Sequence, residues 1–353
     1  MRILITGICG FAGSIIARGL LEHLPGVRIT GIDSLLRRGS ETNLEPLKAL
    51  GIDVRIGDIR RPDDIASLPP ADWVIDCAAN PSVLAGVDGK TGSKELLDHN
   101  LLGTVHLLEY CRTHGAGFIL LSTSRVYSIP PLANLPVDVH VGAFSPAKDH
   151  GVDHLGAEGV TERFSTDPPV SLYGSSKKCS ELLALEYGMT FGFPVRINRC
   201  GVLAGAGQFG KADQGIFSFW IHSWARRRPL RYIGFGGTGH QVRDCLHPRD
   251  LVPLLVSQTG DPGRKAPAIL NVSGGAESAM SLAQLSAWCS DRLGGHQVAS
   301  ITDPRPFDIP WMVLDFSAVK EEWGWSPSTP RNAILEEIAL HAEKNQDWLE
   351  LVS

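Results

Sequence analysis

The sequence lacks the features that mark several classes of protein. Its seven cysteines form no C-x-x-C pair and follow no spacing pattern, which argues against a metal cluster and is typical of a reducing cytoplasm. It has no basic excess: 33 Lys and Arg stand against 38 Asp and Glu, without the charge footprint of a nucleic-acid-binding protein. No apolar run is long enough to span a bilayer, and the first predicted strand begins at residue 2, which leaves no room for a signal peptide. We therefore expect a cytoplasmic protein without membrane or nucleic-acid partners.

The start of the chain carries the pattern around which the rest is organised. Residues 3–5 are an apolar run that predicts a buried strand, and Gly7, Gly10 and Gly13 follow at intervals of three before a helical pattern begins. A chain that turns from strand to helix over so few residues needs positions without a Cβ. The free N–H groups and the dipole at the start of the helix favour an anion such as a pyrophosphate. The alternative is a glycine-rich packing turn that binds no ligand.

An acidic residue follows the second predicted strand at the distance expected for a dinucleotide site. Residues 27–32 are apolar or strand-forming, and Asp33 comes directly after them. A carboxylate at this point accepts hydrogen bonds from both ribose hydroxyls of adenosine and repels a 2′-phosphate. The order of strand, glycines, helix, strand and acid therefore predicts an NAD site.

Strands alternate with helices from residue 2 onward, which predicts an α/β fold with a parallel, doubly wound sheet. The length and the 43% hydrophobic content favour one large domain and a smaller lobe. We place the NAD-binding domain at 1–200 and the substrate lobe at 201–353, with some chain crossing back. Residues 128–170 are rich in proline and glycine and show little periodicity, so we expect an irregular insertion near the substrate cleft. Its histidine spacings match no common ligand pattern, and no metal site is predicted.

Further cofactor contacts are expected past the C-terminal ends of the strands, where ligands of such sheets bind. Arg37 either reaches a phosphate or is solvated. Asn100, in a predicted helix over 94–114, either bonds on the cofactor side or is a satisfied structural amide. The additional candidates are Phe11, Ala12, Ser34, Arg37, Asp58, Ile59, Ala78, Ala79, Asn80, Asn100 and Ser122.

A tyrosine and a lysine four residues apart, Tyr173 and Lys177, open a later predicted helix. They lie on one face of that helix, and an ammonium near a phenol lowers the pKa of the phenol. Tyr173 is thus a candidate base near neutral pH, whereas a free tyrosine has a pKa near 10. The same spacing also occurs by chance at the start of ordinary amphipathic helices. Here it follows a dinucleotide site and a strand end bearing the hydroxyls of Ser122 and Thr123, which favours catalysis.

With these residues the chain resembles, over nearly its whole length, the extended short-chain dehydrogenase/reductase family of NAD-dependent epimerases and dehydratases. The residues that carry the resemblance are Gly7, Gly10, Gly13, Asp33, Asp58, Thr123, Tyr173 and Lys177. It implies a Rossmann-type doubly wound sheet with a smaller C-terminal α/β lobe that binds a nucleotide-sugar. It further implies that Thr123 bonds the reacting hydroxyl, that Tyr173 is the base and that Lys177 binds the nicotinamide ribose. Members often form homodimers through a helix pair, here expected around Asn100 and Glu181.

The second half of the chain is similar to the CDP-paratose 2-epimerases, also called CDP-tyvelose epimerases. The similar segments there are 205–209, 213–215 and 239–247, and residues 34–43 also resemble the cofactor turn of these enzymes. The resemblance implies substrate contacts at Gln208, Phe209, Gln214, Gln241, Arg243 and Arg305, besides Thr123. It implies epimerisation at C2 of a CDP-linked sugar through a transient keto sugar. The alternatives are a UDP-hexose 4-epimerase, a net reductase, and a non-catalytic NAD-binding scaffold or sensor, although such scaffolds commonly lack the Tyr/Lys pair.

The two residues after Thr123 bear on the choice of reaction. Nucleotide-sugar 4,6-dehydratases of the family resemble one another in an Asp-Glu pair at this point, which supplies the acid and base for loss of water. Ser124 and Arg125 occupy these positions here. A hydroxyl and a permanently charged guanidinium cannot replace two titratable carboxylates. The sequence therefore disfavours dehydration.

Overall fold

The computed structural model describes residues 1–87, 89, 92–211 and 214–352. Its strands are β1 (Arg2–Thr6), β2 (Arg28–Asp33), β3 (Asp53–Ile56), β4 (Trp73–Asp76), β5 (Gly117–Thr123), β6 (Val137–His140), β7 (Ala143–Pro146), β8 (Leu155–Gly156), β9 (Gly159–Val160), β10 (Val195–Cys200), β11 (Val202–Leu203), β12 (Leu230–Ile233), β13 (Val242–Arg243), β14 (Cys245–Leu246), β15 (Ile269–Val272), β16 (Met280–Ser281), β17 (Val298–Ile301) and β18 (Trp311–Met312). Its α-helices are α1 (Phe11–His23), α2 (Leu44–Ala49), α3 (Pro62–Ala66), α4 (Ser93–Leu97), α5 (Gly103–His114), α6 (Ile129–Ala133), α7 (Ser171–Phe191), α8 (Ile216–Ala225), α9 (Leu251–Gly260), α10 (Gly275–Ser278), α11 (Leu282–Leu293), α12 (Ser317–Trp323), α13 (Arg331–Lys344) and α14 (Trp348–Leu351). A π turn, Asp98–Leu102, joins α4 to α5, and a 3-10 turn, Ser124–Val126, follows β5.

Within the described residues, seven strands form a parallel central sheet in the order β15-β10-β5-β4-β1-β2-β3. The strand order reverses between β1 and β4, and a crevice past the ends of these two strands is where such sheets bind their ligands. The central strands are apolar on both faces because helices cover both. The predicted α/β fold with a doubly wound parallel sheet is confirmed.

Helices pack on both faces of the sheet and form two separate hydrophobic cores. One core joins α1, α9 and α12 to the sheet and includes Ile16, Leu20 and Leu255. The other joins α3, α5 and α7 to the opposite face and includes Leu107 and Ala184. No helix in the described ranges is both long enough and apolar enough to cross a membrane.

Most of the chain beyond β10 builds a second lobe with its own core, in which α8, α11 and α13 pack together. Trp220, Leu285 and Ile338 are buried there. Parts of this later chain return to the large sheet: β15 pairs with β10, and α9 and α12 pack in the core on one face. The division of the chain near residue 200 stays a prediction.

Residues 128–170, predicted as an irregular insertion, contain a few short elements joined by stretches without regular structure. The segment contains α6 and two hairpins, β6 with β7 and β8 with β9. It packs against the second lobe, where the backbone N–H of Val160 donates to the carbonyl of Val313 at 2.8 Å. Its apolar residues, among them Leu132 and Phe164, are buried by partners far along the chain, so they leave no local periodicity.

Candidate active site

A cleft of about 750 Å³ lies at the C-terminal ends of the central strands and is closed on its far side by the second lobe. Almost all residues predicted from the sequence lie in its wall; Lys177 and Asn100 do not. The predicted residues in the wall are Gly7, Gly10, Phe11, Ala12, Gly13, Asp33, Ser34, Arg37, Asp58, Ile59, Ala78, Ala79, Asn80, Ser122, Thr123, Tyr173, Gln208, Phe209, Gln214, Gln241, Arg243 and Arg305. Asp213, part of the predicted 213–215 motif, lies outside the described residues.

The glycine turn between β1 and α1 has no room for side chains. Gly7 has a φ of +58°, and a Cβ there would lie 2.9 Å from the Cα of Ala78. A Cβ on Gly13 would lie only 2.3 Å from the carbonyl oxygen of Gly7. The turn therefore presents bare backbone and the N-terminus of α1 to the cleft, which fits the pyrophosphate of a dinucleotide.

Asp33 ends β2 and is held by the backbone around it. One carboxylate oxygen accepts from the N–H of Cys9 and the other from the N–H of Leu35, both at 2.9 Å. Burial raises the pKa of Asp33, although these backbone bonds oppose the shift. A carboxylate has lone pairs for about four hydrogen bonds, so Asp33 can also accept from ribose hydroxyls. The bond to Cys9 ties β2 to the glycine turn, a second role that the sequence did not reveal.

Two charged candidates at the adenosine end are engaged with the protein. Asp58 pairs with Arg60, whose Nε lies 2.9 Å from Oδ2 of Asp58. Burial alone would raise the pKa of Asp58, but the bonds to Arg60 bring it below its usual value. Arg37 donates through Nη2 to the carbonyl oxygen of Phe209 at 2.6 Å. Arg37 is therefore not simply solvated, and it links the turn after β2 to the loop that carries Gln208.

Asn100 does not line the cleft but holds the backbone of Asn80, which does. Its Oδ1 accepts from the N–H of Asn80 at 2.8 Å, and its Nδ2 donates to the carbonyl of Asn80 at 3.0 Å and to the hydroxyl of Ser176 at 3.2 Å. These bonds favour the structural amide over a direct cofactor contact. Ser122 is engaged in the same way, because its hydroxyl donates to Glu181 at 2.6 Å.

Thr123 and Tyr173 meet in the cleft where β5 ends and α7 begins. Burial raises the pKa of Tyr173 above its usual value. Hydrogen bonding by Thr123 and the positive charge of Arg125 oppose that rise. Lys177 is 2% exposed, and within the described part of the chain no hydrogen bond or ion pair engages its ammonium. A buried cation is costly without partners, and ribose hydroxyls would supply them, so the residue fits an NAD site.

The predicted influence of Lys177 on the phenol of Tyr173 stays a prediction. The positive charge of Arg125 also acts to lower the pKa of Tyr173, and burial outweighs its effect. Sequence reasoning treated Arg125 only as a residue unsuited to dehydration. Its place two residues after Thr123, directly beyond a strand end, was the available signal.

The far end of the cleft is formed by the second lobe and holds polar groups. Arg243 pairs with Asp308 at 3.0 Å. The side chains of Gln208 and Gln241 each bury an oxygen, Oε1, that accepts no hydrogen bond from the described residues. Buried acceptors of this kind are rare in folded proteins, and here they favour a ligand that carries N–H or O–H donors.

Known proteins share both the sequence pattern and the fold. The profile of the NAD dependent epimerase/dehydratase family matches residues 3–272. The chain is 26% identical over 340 residues to the CDP-paratose 2-epimerase of Salmonella typhi, across 93% of this chain and 95% of that protein. A double mutant of a dTDP-glucose 4,6-dehydratase from Streptomyces venezuelae, solved with NAD, is 25% identical with a TM-score of 0.79 over 100% of both chains. A UDP-glucuronic acid 4-epimerase from Bacillus cereus, solved with UDP-glucuronic acid and NAD, is 24% identical with a TM-score of 0.77 over 98% of this chain and 99% of that one.

The family match covers most of the chain and includes the glycine turn, Thr123 and Tyr173. The sheet order and the cleft agree with it, and the expected resemblance, enzyme class and cofactor are confirmed. The chain thus belongs to the NAD dependent epimerase/dehydratase family and is an NAD-dependent enzyme of nucleotide-sugar metabolism.

Proposed function

We propose that this enzyme is a nucleotide-sugar epimerase that inverts C2 of a CDP-linked sugar of the paratose or tyvelose type. The observation that carries the proposal is the wall of the cleft around Tyr173. It contains a phenol and the hydroxyl of Thr123, and it lacks, among the described residues, a pair of carboxylates beside them. The similarity to the CDP-paratose 2-epimerase of Salmonella typhi supports the choice of substrate.

Bound NAD supplies a group that can accept a hydride and give it back. Gly7, Gly10 and Gly13 would hold its pyrophosphate at the start of α1, Asp33 its adenosine ribose and Lys177 its nicotinamide ribose. These assignments are supported by the bare backbone of the glycine turn, the carboxylate of Asp33 at the end of β2 and the buried ammonium of Lys177.

Tyr173 acts as the base that removes the proton from the reacting hydroxyl of the sugar, and Thr123 relays it by hydrogen bonding. The oxidised carbon is planar, so the keto sugar can present its other face before it is reduced. Tyr173 then returns the proton to the oxygen. The sugar is neither oxidised nor reduced overall, and we expect NAD to stay bound between turnovers.

The carboxylates of this cleft are not placed to catalyse dehydration of the sugar. Dehydration needs an acid and a base close to the sugar carbons. Among the described residues, Asp33 and Asp58 lie at the adenosine end, Glu95 acts there on Arg60 and His99, and Asp308 is engaged with Arg243. Arg125 occupies one of the positions where the dehydratases carry a carboxylate, and a guanidinium cannot exchange protons at neutral pH.

The proposal is tested by proton NMR in heavy water on the purified protein without added cofactor. Inversion at C2 of CDP-paratose or CDP-tyvelose, without uptake of deuterium, is the expected result. Inversion at C4 of UDP-glucose or UDP-N-acetylglucosamine would refute the C2 substrate and establish the 4-epimerase. Consumption of added NADPH in step with product would refute epimerisation altogether.

We also propose a homodimer, formed through α7 and the helix pair α4–α5. This is the helix pair expected around Asn100 and Glu181; both of these side chains are buried within the protomer, so the contact would use the outer faces of the helices. The outer face of α7 carries exposed apolar side chains: Leu182 is 63% exposed and Met189 is 83% exposed, and Leu102 at the end of the π turn is also exposed. Leu182→Glu should halve the mass measured by light scattering, whereas Leu351→Glu, on α14, should leave it unchanged.

The free cysteines of the chain support the proposal that the protein lies in the cytoplasm, which is a reducing compartment. All seven cysteines are free thiols in the structure, and burial raises the pKa of most of them. Fractionation of the source cells, with activity recovered from the cytoplasmic fraction, is the expected outcome.

A further inference from the structure

Helix α14 packs against the loop that carries Gln208 and Phe209 into the wall of the cleft. The indole N–H of Trp348 donates to the carbonyl oxygen of Gln208 at 2.9 Å. The ring of Trp348 lies 5.9 Å from the ring of Phe209, measured between centroids, and Leu349 and Val352 are buried in the same small apolar cluster. This cluster therefore holds the loop both by a directed hydrogen bond and by packing.

The same cluster touches the turn after β2, residues 34–40, several of which line the adenosine end of the cleft. The guanidinium of Arg37 donates to the carbonyl oxygen of Phe209 at 2.6 Å. A Cβ on Gly39 would lie 2.7 Å from Cγ1 of Val352 and 3.0 Å from Cδ1 of Phe209, so the backbone of the turn passes close to both side chains. Phe209 and Val352 thus support the turn from its outer side.

The turn after β2 has a backbone conformation that depends on its surroundings. Leu35 has a φ of +54°, which residues with a branched, bulky side chain rarely adopt, and Gly39 has a φ of +93°. Such conformations persist where the surrounding structure holds them in place. On the inner side, the carboxylate of Asp33 accepts from the N–H of Leu35 at 2.9 Å. The outer side is held by the cluster around Trp348.

We propose that Trp348 is a positioning residue: through Phe209 it holds the turn after β2 against bound NAD and slows the release of the cofactor. The inference rests on the proposed binding of the adenosine ribose by Asp33, since the turn begins directly after that residue. Trp348 does not line the cleft and acts on the cofactor only through this support. A loop that is already held in its bound conformation loses less freedom on binding, which strengthens binding.

The test follows NAD alone and needs no sugar. Enzyme loaded with radiolabelled NAD is mixed with an excess of unlabelled NAD, and the half-time of exchange is measured by filtration. Trp348→Phe keeps an aromatic ring but loses the N–H donor, and it should shorten the half-time about three- to tenfold, the usual effect of losing one hydrogen bond.

Trp325→Phe is the matched control. The indole of Trp325 is also buried and donates to a backbone carbonyl, that of Asp250, at 2.7 Å, but it lies in the core beside α12 and not in the cleft wall. Its substitution should leave the half-time unchanged. Equal half-times in the two variants would overturn the inference, because a general loss of stability would act on both.

A second pair of variants keeps the test open if Trp348→Phe does not fold by circular dichroism. Val352→Ala removes the methyl groups that meet the turn at Gly39 and should shorten the half-time at least twofold. Val319→Ala, at an equally buried valine on α12, should leave it unchanged. Equal half-times in this pair would also overturn the inference, and so would complete exchange in the unmodified enzyme within the time of mixing.

The outcome is independent of the sugar that the enzyme uses. Faster release of NAD from Trp348→Phe, in an enzyme that turns over no CDP-sugar, would refute the proposed substrate and leave the role of Trp348 intact. Turnover of a CDP-sugar together with an unchanged half-time in Trp348→Phe and Val352→Ala would refute the role of Trp348 and leave the proposed function intact.

Discussion

Glu181→Ala should destabilise the protein strongly, because it leaves a buried charge without its partner. Glu181 is 0% exposed and Arg199 2% exposed, and they are joined by two hydrogen bonds of 2.9 and 2.7 Å. The same carboxylate accepts the hydroxyl of Ser122 at 2.6 Å. Removing one partner of a buried ion pair typically costs about 3–5 kcal/mol. That is a large part of the roughly 5–15 kcal/mol by which folded proteins are stable.

The free energy of unfolding is measured from urea denaturation curves followed by tryptophan fluorescence. Glu22→Ala removes an exposed carboxylate on α1, away from the proposed dimer face; it is the control and should change the free energy of unfolding by less than about 0.5 kcal/mol. Glu181→Met combined with Arg199→Met removes both charges and should cost much less than Glu181→Ala alone. If Glu181→Ala lowers the free energy of unfolding by less than about 1 kcal/mol, the buried ion pair does not stabilise the end of β10 as inferred here.

Three further outcomes follow from the site. Tyr173→Phe should lower the turnover rate by about 10²–10⁴-fold, the usual cost of losing an acid–base group, and keep bound NAD; retained activity would refute its role. Gly13→Ala should lose bound NAD, measured by release from denatured protein, because its methyl group meets a backbone carbonyl at 2.3 Å, whereas Gly260→Ala, which has open space, should keep it. Asp58 has a depressed pKa beside Arg60, so its stabilising contribution is present above its unfolded pKa and is lost as the pH falls through its folded value. Asp58→Asn should therefore make the free energy of unfolding fall less steeply as the pH is lowered. An unchanged slope would contradict the ion pair between Asp58 and Arg60.

Local patterns were enough to predict the cofactor half of the cleft. The glycine turn, the acid after β2 and the hydroxyls after β5 are each encoded by neighbours in sequence, and a parallel sheet brings all strand ends to one edge. The order of strands and helices likewise predicted the doubly wound sheet. These features need no knowledge of distant contacts.

The features that the sequence left open arise where two distant segments meet. The amide of Asn100 bonds to the backbone of Asn80, and Arg37 bonds to a carbonyl 172 positions away at Phe209. The insertion at 128–170 looked irregular because its apolar residues are buried by segments near Val313. None of these partners is visible as a spacing or a period.

By itself, the sequence determined the sheet, the dinucleotide turn and the pair Tyr173 and Lys177, because each depends on spacing within one or two elements. The tertiary structure alone brought Arg125 into the cleft wall with Tyr173, since a turn and a helix from separate parts of the chain meet there. It also decided that Glu181 lies inside the protomer, where Arg199 meets it. Charge interactions depend on distance and on burial, and both are set only when separate parts of the chain have packed.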